Sequence, residues 1–166
     1  VALLAAFLFP AINKAKRNAR RGVCVAELKA LETGLKQYYS QYNKWPDLRF
    51  PPIRENTKVL VGGDIAKILM GQNVDGRQPG GENPKEYRFV EFSRIDSGGN
   101  PINPWGSKDA SKNDPNRHYY YAKFDMNLDN EIEAGGAGIA YPPAEAGRRP
   151  LIIWTVDDKE QLMGSW

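Results

Sequence analysis

Oxygen-bearing side chains stand at alternate positions in Asp125, Asn127, Asp129, Glu131 and Glu133. In a tight loop this spacing lets successive side chains converge on a hard cation, the chemistry of the first half of a calcium loop. Asn130 takes the place where such a loop usually turns through glycine, and asparagine tolerates the left-handed backbone needed there. The twelfth place, which should carry a bidentate glutamate, is Gly136, so a complete loop of that kind is not expected. Asp157, Asp158 and Glu160 make a second acidic group that either stands alone or closes an irregular site from elsewhere in the chain. Calcium at Asp125, Asn127, Asp129, Glu131, Asp157 and Asp158 is therefore one expectation, and two solvated acidic turns are the other.

The remaining reactive residue types are sparse. His118 is the only histidine and Cys24 the only cysteine, which excludes an intrachain disulfide and leaves no supported Cys–His pair. The glycines at Gly135, Gly136 and Gly138 follow no nucleotide-binding pattern, and an enzyme is not expected. Lys14, Lys16, Arg17, Arg20, Arg21 and Lys29 face only Glu27 over the same stretch, so the formal charge of +3 hides a basic patch at one end. That patch suits nucleic acid, anionic lipid headgroups, the acidic face of a neighbouring subunit, or simply water. Tyr119 and Tyr121 on one strand face, with Tyr120 on the other, could stack bases. The basic patch lies far from them in sequence and the strand leads into carboxylates, so core and subunit contacts are preferred and no nucleic acid is expected.

These groups must be placed by a few elements. From Ile12 the small or apolar residues Ala15, Ala19, Val23 and Ala26 recur, then Leu28, Leu31, Leu35, Tyr38 and Tyr42 at alternating steps of three and four, which is a helix with one buried stripe. Pro10 sits inside this helix and is expected to bend or loosen the preceding turn; Trp45-Pro46 marks the stop. The apolar run from Val1 to Ile12 is too short to cross about 30 Å of hydrocarbon, so any missing part of a membrane segment is expected before Val1. Thr57 to Met70 predicts a shorter helix, weakened by Gly62 and Gly63, with Asp64 a candidate cap. Strands are predicted at Tyr87 to Ile95, Arg117 to Phe124 and Leu151 to Val156, with long loops at Gly98 to Asp114 and Gly135 to Pro150. A chain with 41% hydrophobic and 26% charged residues supports one modest core. The expected fold is α+β, a long N-terminal helix packed on a small antiparallel sheet.

Leu3 to Lys16, LLAAFLFPAINKAK, resembles the second half of the N-terminal helix of type IV pilins and type II secretion pseudopilins. Glu27 to Pro46, ELKALETGLKQYYSQYNKWP, is similar to the helix and exit turn of the major pseudopilin of that system. NPWG at Asn103 to Gly106 resembles that group's Pro-Trp-Gly turn, and IIWTVDDKEQLMGSW, from Ile152 to Trp166, its terminal strand, acidic loop and closing Ser-Trp. The resemblance divides the chain into residues 1–13, the end of a truncated membrane and assembly helix; 14–46, its amphipathic continuation; and 47–166, a globular pseudopilin domain.

It implies a structural subunit of a periplasmic pseudopilus that helps export folded proteins. Such a subunit is single-pass in the bacterial inner membrane, with a transmembrane helix and a periplasmic domain. It is processed by prepilin peptidase, methylated at its new N-terminus, and partnered by identical subunits, minor pseudopilins and the inner-membrane secretion platform. Leu3, Leu4, Phe7, Leu8, Pro10 and Ile12 fall on the assembly helix of that family. The family's calcium loop near the C-terminus aligns with Asp157 and Asp158, but this chain has Thr155-Val156-Asp157-Asp158 where a Ser-x-Gly-Pro-Asp-Gly turn is common. The alternatives are a type IV pilin for adhesion or DNA uptake, and a membrane-tethered monomeric binding module using the Gly135 to Pro150 loop.

Overall fold

The computed structural model describes residues 2–46, 57–72, 82–106, 118–132 and 149–166, with side chains described from residue 9 onward. Helix α1 (Ala2–Tyr42) runs through Pro10 without interruption. Cys24, Leu28, Leu31, Leu35 and Tyr38 recur every three or four residues and are all buried, so the lower half of the helix presents one continuous apolar ridge. Asn43 ends it in the left-handed region (φ 53°), its amide bonding back to the Tyr39 carbonyl at 2.7 Å. The helix therefore stops just ahead of Trp45-Pro46, and the Trp45 indole donates to the Asp125 carbonyl at 2.9 Å, fastening the exit turn to the sheet.

Among the described residues that sheet has four antiparallel strands in sequence order: β1 (Val59–Leu60), β2 (Tyr121–Phe124), β3 (Leu151–Val156) and β4 (Leu162–Gly164). Trp154 pairs with Tyr121 on one side and with Gly164 on the other, which sets the register of the central strand. β3 is apolar nearly throughout because both its faces are covered. Leu151 and Ile153 join the core beneath α1, while Ile152 and Trp154 pack with Ile102, Tyr119, Tyr121 and Ile132 on the opposite face. The expected α+β architecture, a long helix on a small antiparallel sheet, is the one found, and it is pilin-like in general outline.

Three expectations are corrected. The helix predicted over Thr57 to Met70 is split: Val59 and Leu60 pair with β2, and only α2 (Gly63–Leu69) is helical. Gly62 occupies the N-cap with no side-chain cap, and Asp64 falls in the first turn. Tyr87 to Ile95 is not a strand. The Phe89 and Val90 amides both donate to the Leu69 carbonyl, at 2.8 and 3.1 Å, so this segment closes the end of α2 instead of joining the ladder. Ile95 makes only an isolated bridge to Pro101.

The third correction concerns the membrane. No helix among the described residues is long and apolar enough to cross one, which overturns the transmembrane helix and the single-pass inner-membrane placement expected above. The physical reason lies in α1 itself: its length is ample, but five cations between Lys14 and Arg21 follow directly on the apolar run.

Candidate assembly surface

The upper half of α1 leaves the sheet. From Phe9 to Val23 every residue is exposed except the half-buried Arg17, whereas from Cys24 the same helix face is core. The face that carries Cys24, Leu28 and Leu31 below carries Arg17, Arg20 and Arg21 above, because steps of three, four and seven positions return to one side of a helix. Beside this basic face lies an open cavity of about 700 Å³, walled by α1, by Trp105 and by Asp158 and Lys159.

Arg17 binds two carboxylates beside this cavity. Its Nη2 is 3.1 Å from Asp157 and its Nε 3.2 Å from Asp158. Asp157 is fully buried, and its other oxygen accepts the Lys159 and Gln161 amides at 2.9 Å each. Burial alone would push this carboxyl up; the two amides and the guanidinium outweigh it and hold Asp157 below the usual aspartate range. Lys14, Lys16, Arg20 and Arg21, by contrast, are exposed and have no carboxylate within ion-pair distance among the described residues.

Lower down, a second polar set joins α1 to the sheet. Glu27 accepts hydrogen bonds from the Tyr120 hydroxyl and, at 2.8 Å, from Ser93. Burial, and then this bond to a carboxylate, push the Tyr120 phenol far above its ordinary range. Burial, aided by the Glu27 charge, pushes the neighbouring Cys24 thiol up to about 12, the condition of an inert packed thiol and not of a nucleophile.

The acidic 125–131 loop is organised from within. Asp125 is buried and accepts the Leu128 amide at 2.6 Å and the Asn130 amide at 2.8 Å, while Asn127 and Asp129 accept the amides two positions on. Asn130 is left-handed (φ 62°), as its place in the spacing suggested, and so is Leu128 (φ 65°). Asn127, Asp129 and Glu131 are exposed; Glu133 and Gly136 lie outside the described residues. The two acidic groups are not brought together. Asp125 lies beside the start of β3 and Asp157 follows its end, so the second group does not close the first.

Among the described residues no group of three or more His, Cys, Asp or Glu side chains could hold a metal ion. At Asp157 the donor set fits calcium poorly, because its oxygens already hold two amides and a guanidinium. Of the assembly-helix residues, Pro10 and Ile12 are exposed, and the side chains of Leu3, Leu4, Phe7 and Leu8 lie outside the described set.

Sequence reasoning missed Asn103. Its amide donates to Thr155 Oγ1 and the Val156 carbonyl, both at 2.8 Å, and its oxygen accepts the Trp105 and Gly106 amides, so one buried side chain fixes Trp105 against β3. The NPWG turn at Asn103 to Gly106 is the available signal, since an asparagine that opens a turn can hold the amides that follow it. Compared with protein-family models, curated proteins and solved structures, the chain matches none.

Proposed function

We propose that this chain is a structural subunit of a filament of the type II secretion class, a pseudopilus, and that it performs no catalysis of its own. The pilin-like fold is consistent with a subunit of a filament in general, and the resemblance of the helix, the NPWG turn and the C-terminal segment supports the narrower assignment. The observation that carries the reading is the exposed upper half of α1. Phe9 and Ile12 are 68% and 54% exposed, on a helix that the sheet does not cover. Burying such a surface against neighbouring helices, through a contact that does not close on itself, produces a helical polymer.

The partners in this reading are identical subunits, minor pseudopilins, the secretion platform and prepilin peptidase. The lone cysteine favours the secretion filament over an adhesion pilus, because many adhesion pilins close a C-terminal loop with a disulfide and this chain has no second cysteine. Co-expression of the encoded protein with a type II secretion platform tests the assignment. Sheared surface filaments containing this chain are expected; persistent monomers would reject it.

A further inference from the structure

We propose that the basic groove beside the upper half of α1 receives the acidic 125–131 loop of a second copy of this chain. This rests on the filament-subunit reading and names the two surfaces that meet. The groove is concave, about 700 Å³, and Lys14, Lys16, Arg20 and Arg21 line it without a carboxylate of their own among the described residues. Arg17 is the exception, held by Asp157 and Asp158. Trp105 supplies an apolar wall, and its indole N–H has no acceptor among the described residues although it is shut off from water. An occupant must therefore bring carboxylates together with apolar surface.

The 125–131 loop has that composition. Asp129 and Glu131 are exposed and form no ion pair among the described residues, and just ahead of them in the loop stand Leu128, 59% exposed, and Met126, 37% exposed. Its shape is set before any contact by the amides that Asp125 accepts, so little ordering remains to be done on docking.

The two surfaces cannot meet within one molecule. The loop shares a cleft with Tyr39 and Trp45 near the foot of α1, and Arg21 lies eighteen positions up the helix from Tyr39, roughly 27 Å at an α-helical rise. A contact between the foot of one copy and the upper helix of the next displaces each subunit along the helix direction. Such a heterologous contact leaves both ends open and propagates. Because the charged groups are exposed, the contact must weaken as salt rises.

Sedimentation velocity of the purified chain, at about 20 mM and about 500 mM salt, tests this with two charge-reversed variants. One carries Arg20→Glu and Arg21→Glu; the other carries Asp129→Lys and Glu131→Lys. All four side chains are exposed, and thermal melts establish that each variant is folded. The wild type is expected to self-associate at low salt, each variant alone to associate at least about tenfold more weakly, and an equimolar mixture of the two to recover association because opposite charges again face one another. A wild type that stays monomeric at low salt, variants that associate as the wild type does, or a mixture without recovery would each overturn the docking. So would binding to phosphatidylglycerol vesicles that is lost in the helix variant while the loop variant self-associates normally, since the groove would then face lipid. The filament reading fails separately, by absence of polymer on co-expression; polymer formed equally by both reversed variants would overturn the docking alone.

Discussion

Arg17 and Asp157 stand 140 positions apart in the chain yet form the pair that ties the upper helix to the turn after β3. Removing the cation leaves a buried carboxylate supported by two amides only, and because Arg17 is 26% exposed the cost is discounted from that of a fully buried pair. Arg17→Ala should lower unfolding free energy by about 1–2 kcal/mol in urea titrations. The same reasoning sets an acid limb. Asp157 and Asp96 are both held below the ordinary value of 3.8, Asp96 against its own burial by the Tyr119 hydroxyl and the Asn100 and Gly98 amides. Since the folded-state values are depressed, their stabilisation is complete above the unfolded value and is lost as pH falls through the folded one. The urea midpoint should therefore drop as pH falls below the ordinary aspartate value of 3.8, and Asp96→Asn should flatten that drop. Adding calcium should leave the melting temperature unchanged if Arg17 is the cation that satisfies Asp157; a rise would show a tight metal site. Cys24 offers a separate check. With its thiol pushed from 9.0 to about 12 and no exposed surface, alkylation at pH 8 should run at least about a hundredfold slower in the folded chain than in urea.

At the scale of elements, α1 and the segment that closes α2 approach closely at Gly34. A Cβ added at Gly34 would lie 2.2 Å from Val90 Cγ2 and 2.8 Å from the Phe89 carbonyl oxygen. The Val90 side chain is packed and the Phe89 carbonyl is backbone, so neither can swing aside. Gly34→Ala gains about 1 kcal/mol of helix propensity but must push the helix off this segment; a net loss of about 1–2 kcal/mol in thermal unfolding is expected. The same contact explains why the Tyr87 to Ile95 prediction failed. Alternating aromatic and polar residues suit a strand, but two successive amides there are committed to the Leu69 carbonyl, and Phe89 packs against Tyr38 and Tyr42 instead of a neighbouring strand. β4 was missed for the opposite reason: three residues, one of them glycine, carry too little pattern to register. At Gly164 an added Cβ would meet the Trp166 ring at 1.9 Å, so a larger residue there would displace that half-exposed side chain.

For the whole molecule, α1 divides into a packed lower half and an exposed upper half, and in the proposed filament the first serves folding and the second assembly. Phe9→Gln with Ile12→Gln should change stability by less than about 0.5 kcal/mol, because both side chains are already largely exposed, and should sharply reduce filament yield on co-expression. Equal yields would argue that the upper helix is not the assembly surface. The long helix, its buried stripe and β3 were legible from periodicity and an apolar run, because such patterns are local consequences of which face meets the core. The left-handed turn at Asn130 was legible for the same reason, since backbone tolerance belongs to the residue itself. What only the tertiary structure decided were the long-range assignments: that Arg17 and not a distant acidic loop meets Asp157, that Asn103 fixes the turn at Trp105, and that the two acidic groups flank opposite ends of β3. Spacing along a chain limits what one element can present to its neighbours. Which charges end up opposed depends on how elements far apart in sequence pack, and that is fixed by the shared core beneath them.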